Sequence, residues 1–307
     1  MYRSLLRHGA DFHLWIICFD DLAYKILDQL KLEQATLVPL ERFEDPELLS
    51  IKSQRTRQEY CWTCTPSTLL YVLNTEPHVD VITYLDADLM FFSSIEPIFA
   101  EAKDASILLT EHRYLPEFDI SKNSGIYNVQ FMMFRRDRQG LEALSWWRDR
   151  CIEWCAARIE DNKFGDQKYL DDWQERYQGV HVLKHLGAGL APWNAAQYKL
   201  HKQEHDIYVE EYPLIFYHFH GLNIHPFNIF YLSPKYPIND KMRELIYYPY
   251  LQEITLHYAL VRQIDPKFNS GIIWFKLPQF SPDFYSYLRE IRAIFKDIQQ
   301  GKYHIYA

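Results

Sequence analysis

Residues 81–92 read VITYLDADLMFF. An apolar run of this kind makes a buried strand. Here it delivers two carboxylates, Asp86 and Asp88, to the strand's end, with apolar residues again behind them. Two ionised groups so close repel each other, and taking them out of water is costly unless positive charge neutralises them. No lysine or arginine lies between His78 and Lys103. The fold must therefore bring a cation to this strand end, either on a distant segment or as a metal ion. That requirement constrains the chain more than any other feature.

The flanking sequence supplies the architecture. MYRSLLRHG has helical spacing and ends on Gly9, a natural helix terminator. FHLWIICFD (12–20) reads as a buried strand, DLAYKILDQL as an amphipathic helix capped by Asp20 or Asp21, and ATLVPL as a second strand. A longer helix covers about 53–73 with a kink near Pro66. After the acidic strand come the helix-like EPIFAEA, the strands ASILLTEH and YNVQFMMFR, and the amphipathic helix GLEALSWWRDRCIEWCAARIE. Its apolar side gathers Leu141, Leu144, Trp147, Cys151, Trp154 and Cys155, which read as core.

Strands alternating with helices predict an α/β fold with a mostly parallel mixed sheet flanked by helices. Ligands gather outside the carboxyl ends of strands in such sheets, and the acidic pair is at such an end. From about 227 the chain is rich in Tyr and Pro, with helical stretches at 245–263 and 284–299. We expect a domain over 1–227 and a C-terminal helical extension over 228–307 packed on it.

Composition narrows the function. A net charge of −8 disfavours a general nucleic-acid binder but leaves a local basic pocket open. Only 10 glycines argue against a phosphate cradle built from several of them. No run of about twenty apolar residues encodes a transmembrane helix, and the N-terminus does not read as a signal peptide. Five cysteines, an odd number, suggest reduced thiols in a cytoplasmic protein. Cys61/Cys64 and Cys151/Cys155 have a spacing that a zinc site could use. Both pairs fall inside helix-like segments, so they read as buried thiols.

Three further stretches carry candidate chemistry. YPLIFYHFHGL sets His218 and His220 on one face of a strand before Gly221. Added to Asp86 and Asp88, imidazole nitrogen favours Mn²⁺ somewhat over Mg²⁺. KFGDQKYLDDW places Asp166 and Gln167 where a helix begins. Asp166 can cap that helix, or the pair can grip substrate hydroxyls from the sheet rim. In HLGAGLAPWN, Gly187 and Gly189 permit close backbone approach, and Trp193 and Asn194 offer a stacking face and an amide. Trp193 fits core packing better than ligand contact.

In this order, YLDADLMFF, YNVQFMMFR, GDQKYL and HFHG resemble the nucleotide-diphospho-sugar transferases of the GT-A fold. The similarity is to the family-8 retaining glycosyltransferases, which include glycogenin and bacterial lipopolysaccharide glycosyltransferases, and it covers roughly 12–227. The resemblance implies a donor nucleotide-diphospho-sugar, a glycan or lipid-linked acceptor, and a divalent ion on Asp86, Asp88 and His218. It implies that Asp166 and Gln167 contact the donor sugar. Asn128 matches the asparagine of the family's F-N-x-G strand, but Gln130 replaces its glycine, and Asn123-Ser124-Gly125 is a rival match. His218, Phe219 and Gly221 match H-F-x-G. His225-Pro226-Phe227 stands where K-P-W should follow, one residue late and without the lysine, so His225 or another basic residue would have to substitute. The chain also opens on a helix and reads as lacking the family's first, base-receiving strand.

The resemblance implies a role in bacterial surface-polysaccharide synthesis, in the cytoplasm or in peripheral contact with the inner face of the membrane. Arg55 and Arg57 could approach the acidic pair, or be solvated surface arginines. Rival readings are a D-x-D phosphohydrolase, a metal-dependent hydrolase built on H-x-H, and a catalytically silent glycan- or nucleotide-binding protein of the same fold. The phosphohydrolase wants Thr or Val where Met90 stands, and the hydrolase wants a barrel pattern that is absent.

Overall fold

The computed structural model describes residues 1–8, 11–274 and 284–305 of the 307-residue chain. Gly9, expected to end the first helix, lies outside them. In chain order the first half runs α1 (Tyr2–His8), β1 (Leu14–Cys18), α2 (Asp21–Leu30), β2 (Ala35–Pro39), α3 (Leu40–Phe43), α4 (Pro46–Lys52), α5 (Arg57–Thr75), β3 (Val81–Leu85) and β4 (Leu89–Phe91). There follow α6 (Glu96–Glu101), β5 (Ile107–Glu111), α7 (Ser121–Ser124), β6 (Tyr127–Arg135), α8 (Arg138–Glu153), α9 (Trp173–Arg176) and β7 (Val180–Val182). The last part holds β8 (Leu200–Gln203), β9 (Asp206–Val209), β10 (Tyr212–Pro213), β11 (Phe216–His218), β12 (Asn223–His225) and β13 (Ile229–Tyr231). It closes with α10 (Asp240–Met242), α11 (Tyr248–Ile264), α12 (Phe284–Gln299) and β14 (Tyr303–Ile305).

Local signals start these elements as expected. The Asp20 side chain accepts from Ala23 N at 2.8 Å and starts α2, and a Thr56/Glu59 capping box starts α5. Pro66 sits inside α5 without ending it. The helix expected through Glu160 stops earlier: α8 ends at Glu153 and Trp154 is already extended. There the backbone turns away so that Ala157 N can donate to Glu59 Oε1 at 2.8 Å.

A four-stranded sheet runs β3-β6-β5-β7. β6 is antiparallel to both β3 and β5, and β7 is parallel to β5, so β3, β5 and β7 share one direction around a single reversed strand. The sheet is mixed, as expected, but its hydrogen-bonded neighbours are less often parallel than the sequence suggested. Ahead of it β1 and β2 pair in parallel around α2, which completes a β–α–β unit. β1 and β2 are the strands read from 12–20 and from ATLVPL; among the described residues α1, and no strand, stands ahead of β1.

β6 is buried along nearly its whole length. On one side Met132 and Phe134 meet Leu69 and Leu73 of α5, Trp147 and Cys151 of α8, and Trp173. On the other, Phe131 and Met133 meet Leu89, Phe91, Ile98 and Phe216. Tyr127 and Val129 belong to the same side as Met132 and Phe134, so the alternation of β6 changes parity between Val129 and Met132. This is where its register against β5 shifts, between Leu108 and Thr110. An irregularity of this kind re-aims the side chains beside it.

The C-terminal segment is not purely helical, since its β13 and β14 form a small sheet with β12, which lies just ahead of it. Phe230, Leu232, Met242, Ile246, Tyr247 and Leu251 share one apolar cluster with Met90, Tyr217 and Phe219. The Tyr250 ring stacks on Phe219 at 3.5 Å between centroids. Burial of this face joins the last part of the chain to β4 and β11.

Candidate metal centre

β3 ends at Leu85, and its chain direction carries Asp86 and Asp88 onto the turn into β4. β4 pairs antiparallel with β11, Phe91 opposite Phe216 and Leu89 opposite His218. This register delivers a buried imidazole to a pair of half-buried carboxylates. His218 Nε2 lies 3.0 Å from Asp88 Oδ1 and 3.7 Å from Asp86 Oδ2. One ligand atom from each of the three lies within 4.8 Å of the others, and among the described residues no other such group of His, Cys, Asp or Glu forms. Neither aspartate pairs with a lysine or arginine among the described residues.

Second partners hold each group. Tyr84 donates its hydroxyl to Asp86 Oδ1 at 3.0 Å, and Asp86 N donates to Gln130 O at 3.0 Å. Asp88 O accepts from Phe219 N at 3.0 Å. His218 Nδ1 meets Gln130 Oε1 at 2.8 Å. The other end of that amide, Gln130 Nε2, is buried with no acceptor. Leaving such a donor unmade costs about 1–3 kcal/mol.

The electrostatics follow from crowding. Burial raises the Asp86 carboxyl, and the neighbouring Asp88 adds to that, against the opposing pull of His218. Burial also works to raise Asp88, but the His218 charge and hydrogen bond outweigh it and hold Asp88 below its usual range. Burial lowers His218, and the two carboxylates more than reverse this, so its pKa stands above the ordinary value. Two carboxylates and one imidazole form a donor set that could hold a divalent cation.

Asp166 is close enough to Asp86 to feel its charge. It is 5 % exposed, and burial followed by the charge of Asp86 pushes its pKa up to about 7. A hydrogen bond from Thr65 and backbone amides oppose the shift. Its own backbone carbonyl accepts from Trp147 Nε1 at 2.8 Å. Gln167 stands beside it but turns its amide to Ser124 O, next to Gly125. The rival stretch Asn123-Ser124-Gly125 therefore neighbours Gln167, whereas Asn128 and Gln130 stand behind His218.

Several residues expected to contact substrate make hydrogen bonds within the protein. Asn128 Nδ2 meets His112 Nε2 at 3.1 Å, and its Oδ1 accepts from Gln130 N at 2.9 Å. Asn194 is fully buried, donating to His112 O and Gly189 O and accepting from Ala191 N. Trp193 is core, its Nε1 donating to His112 O at 2.9 Å and its ring edge-on to His218 at 5.3 Å. The glycines admit the protein's own groups: a Cβ on Gly187 would lie 1.8 Å from the backbone oxygen of Pro213, and one on Gly189 2.7 Å from the side-chain Cγ2 of Thr110. Gly221 takes φ +77 in the exposed turn after β11.

Other positions separate from the cluster. His220 is exposed beyond β11, its ring 5.5 Å from Trp193, and the three-residue group contains His218 without it. His225 is buried in β12, where its Nδ1 meets Ile273 O at 2.6 Å. Arg57 pairs with Asp20 at 2.7 Å and lines a crevice of about 600 Å³ with Phe19 and Leu40, at the carboxyl ends of β1 and β2. Arg55 donates to Ile152 O. The cysteines are free and, Cys61 apart, buried. Sequence reading missed Tyr84 and Thr65. Alternation could have found Tyr84, two residues before Asp86 on the same strand face, but no local signal marks Thr65.

No protein family model matches the chain. Two solved structures align with it at a TM-score of 0.40 each. One is mouse xyloside xylosyltransferase 1 in its apo form, 14% identical, over 59% of this chain and 77% of that one. The other is a glycosyltransferase involved in glycosylation of the major capsid of PBCV-1, 12% identical, over 69% of this chain and 94% of that one. Among curated proteins, the uncharacterized protein YfnD of Bacillus subtilis (strain 168) is 38% identical over 277 residues, which is 89% of each chain. The uncharacterized protein YfnF of the same organism is 33% identical over 280 residues, 88% of this chain and 91% of that one. With identity of this degree along nearly the whole length, the chain belongs to the family of YfnD and YfnF.

Proposed function

We propose that the protein is a divalent-metal-dependent glycosyltransferase that moves a sugar from a nucleotide-diphospho-sugar to a glycan or lipid-linked acceptor. The observation that carries this reading is the meeting of Asp86, Asp88 and His218, from two distant stretches, at the carboxyl end of a strand. A D-x-D there, with a histidine from an H-F-x-G stretch beside it, is the arrangement that the sequence resemblance implies. The same proposal includes retaining stereochemistry, Mn²⁺ in preference to Mg²⁺, and a place in surface-polysaccharide synthesis at the inner face of the membrane. No helix among the described residues is long and apolar enough to cross a membrane.

A dication held there supplies Lewis-acid stabilisation for a departing diphosphate. The chain's own part is to hold and orient. Asp86, Asp88 and His218 would hold the ion, and Tyr84 fixes the Asp86 carboxylate through its hydroxyl. Asp166 is a buried acid beside Asp86, and a cation at Asp86 would favour its ionised form. Its carboxylate then has the charge to support positive character at an anomeric carbon, with Gln167 beside it for a sugar hydroxyl. The crevice at the ends of β1 and β2 is our assignment for the nucleoside half of the donor.

The test incubates the protein with a panel of UDP-, GDP- and dTDP-sugars and Mn²⁺, and measures nucleotide release. Release from at least one donor, lost in Asp88→Ala and His218→Ala, is expected. Metal-independent phosphate release from simple monoesters, or sugar binding without turnover of any donor, would overturn the proposal.

A further inference from the structure

We infer that Gln130 is the positioning residue of this centre, its side-chain carbonyl holding His218 with the Nδ1 proton turned inward and Nε2 presented to Asp86 and Asp88. The inference rests on the metal reading above and adds to it a residue that the family resemblance does not supply. Glycine is expected at this position, and glycine has no side chain to make the contact.

The argument begins with the imidazole. A neutral ring carries one proton, and Nε2 can bind a cation only if that proton sits on Nδ1. Gln130 Oε1 lies 2.8 Å from Nδ1, and a carbonyl oxygen can only accept. Without an ion, Nε2 donates to Asp88; once the ring is neutral, the Gln130 contact selects the tautomer whose Nε2 lone pair is free for a cation. The same residue also reaches the other half of the centre, because its backbone carbonyl accepts from Asp86 N. One residue of β6 thus sets the ring from β11 and the turn after β3.

Gln130 is itself fixed. Asn128 Oδ1 accepts from its backbone N–H, Asn128 Nδ2 meets His112 Nε2, and His112 Nδ1 meets Ile126 O. Burial keeps His112 neutral, with its pKa lowered to about 3, so it can accept from Asn128. The change of parity in β6 aims this row of polar side chains toward β11. The uncompensated end of the amide completes the case. Gln130 Nε2 is buried without a partner, so a methionine of similar size would pack there without that cost. The residue is kept for its oxygen.

The experiment compares Gln130→Met and Gln130→Glu with wild type by Mn²⁺ titration in electron paramagnetic resonance. If Gln130 positions His218, Q130M weakens Mn²⁺ binding by about 10–100-fold, and Q130E, which restores an acceptor, stays within about threefold of wild type. If the residue only fills space, the order reverses, because the buried charge of Q130E is then the more damaging change. Should Q130E fail to fold, ¹⁵N-histidine NMR decides. In wild type with Mg²⁺, Nδ1 of His218 carries a proton protected from exchange, and Q130M loses that protection. A wild-type Nδ1 without a proton, or with an unprotected one, overturns the inference. If wild type binds no Mn²⁺, the metal reading fails, while protection of the Nδ1 proton in the metal-free protein still decides the Gln130 contact.

Discussion

His218 stands opposite Leu89 in the β4–β11 ladder, and its Nε2 lies 3.0 Å from Asp88. A one-residue slip of β11 would turn the imidazole to the other face of the strand. The register of two three-residue strands is therefore a condition for the centre to exist.

Asp88→Ala removes the carboxylate nearest the ring. Mn²⁺ affinity is expected to fall on the order of 100-fold or more, and nucleotide release by about 10²–10³-fold. Titration by electron paramagnetic resonance checks the first effect and a coupled nucleotide assay the second. Wild-type Mn²⁺ affinity in this variant would sink the assignment.

Asp166 makes stability depend on pH with a definite sign. Its folded pKa of about 7 exceeds the ordinary 3.8, so the folded state holds the proton more tightly. The resulting stabilisation is fully present below 3.8 and is lost as pH rises through about 7. Metal-free Asp166→Asn should therefore unfold at a higher urea concentration than wild type near about pH 8, with the gap closing toward acid. Identical profiles for the two proteins would remove the buried acid.

The two glycines before β11 should be intolerant of a methyl group for different reasons. Gly187→Ala drives Cβ into the Pro213 carbonyl, and the carbonyl of Gly187 also receives Ile215 N and Phe216 N at the start of β11. A loss of about 3 kcal/mol or more is expected in urea denaturation, with weaker Mn²⁺ binding. Gly189→Ala meets a side chain at φ +76 and should cost about 1–3 kcal/mol. A neutral Gly187→Ala would contradict the packing described for β11.

Removing residues 228–307 should not leave an independent domain. The cut would expose Met90, Tyr217 and Phe219, which share their cluster with Phe230, Met242 and Leu251. Fragment 1–227 is expected to lack a cooperative unfolding transition, and Tyr250→Ala in the full chain to cost about 3 kcal/mol through its lost stack on Phe219. A folded, cooperative fragment would establish the division at 227.

The elements and the acidic pair were legible because periodicity and capping are local. Asp20, Thr56 and the apolar run of β6 each act within a few residues of themselves. His218 was legible through the motif it completes, and Asp166 through the glycine before it. The internal partners of Asn128, Asn194 and Gln130 were not legible. Their side chains are polar enough for a ligand, but burial turns each toward the protein's own groups. Burial depends on β5, β6 and β11 meeting across long separations, which no local pattern encodes. Tyr250 and the shared C-terminal cluster were hidden for the same reason.

The pairing of Phe91 with Phe216 also bears on how the protein comes into being. A chain emerging from the ribosome at about 5–20 residues per second exposes Asp86 and Asp88 well before β11 exists. The imidazole follows only after the translation machinery has passed His218, and the apolar floor beneath it only after Leu251. Until then the two carboxylates have neither their partner nor their cover, so a half-made polypeptide cannot assemble the centre.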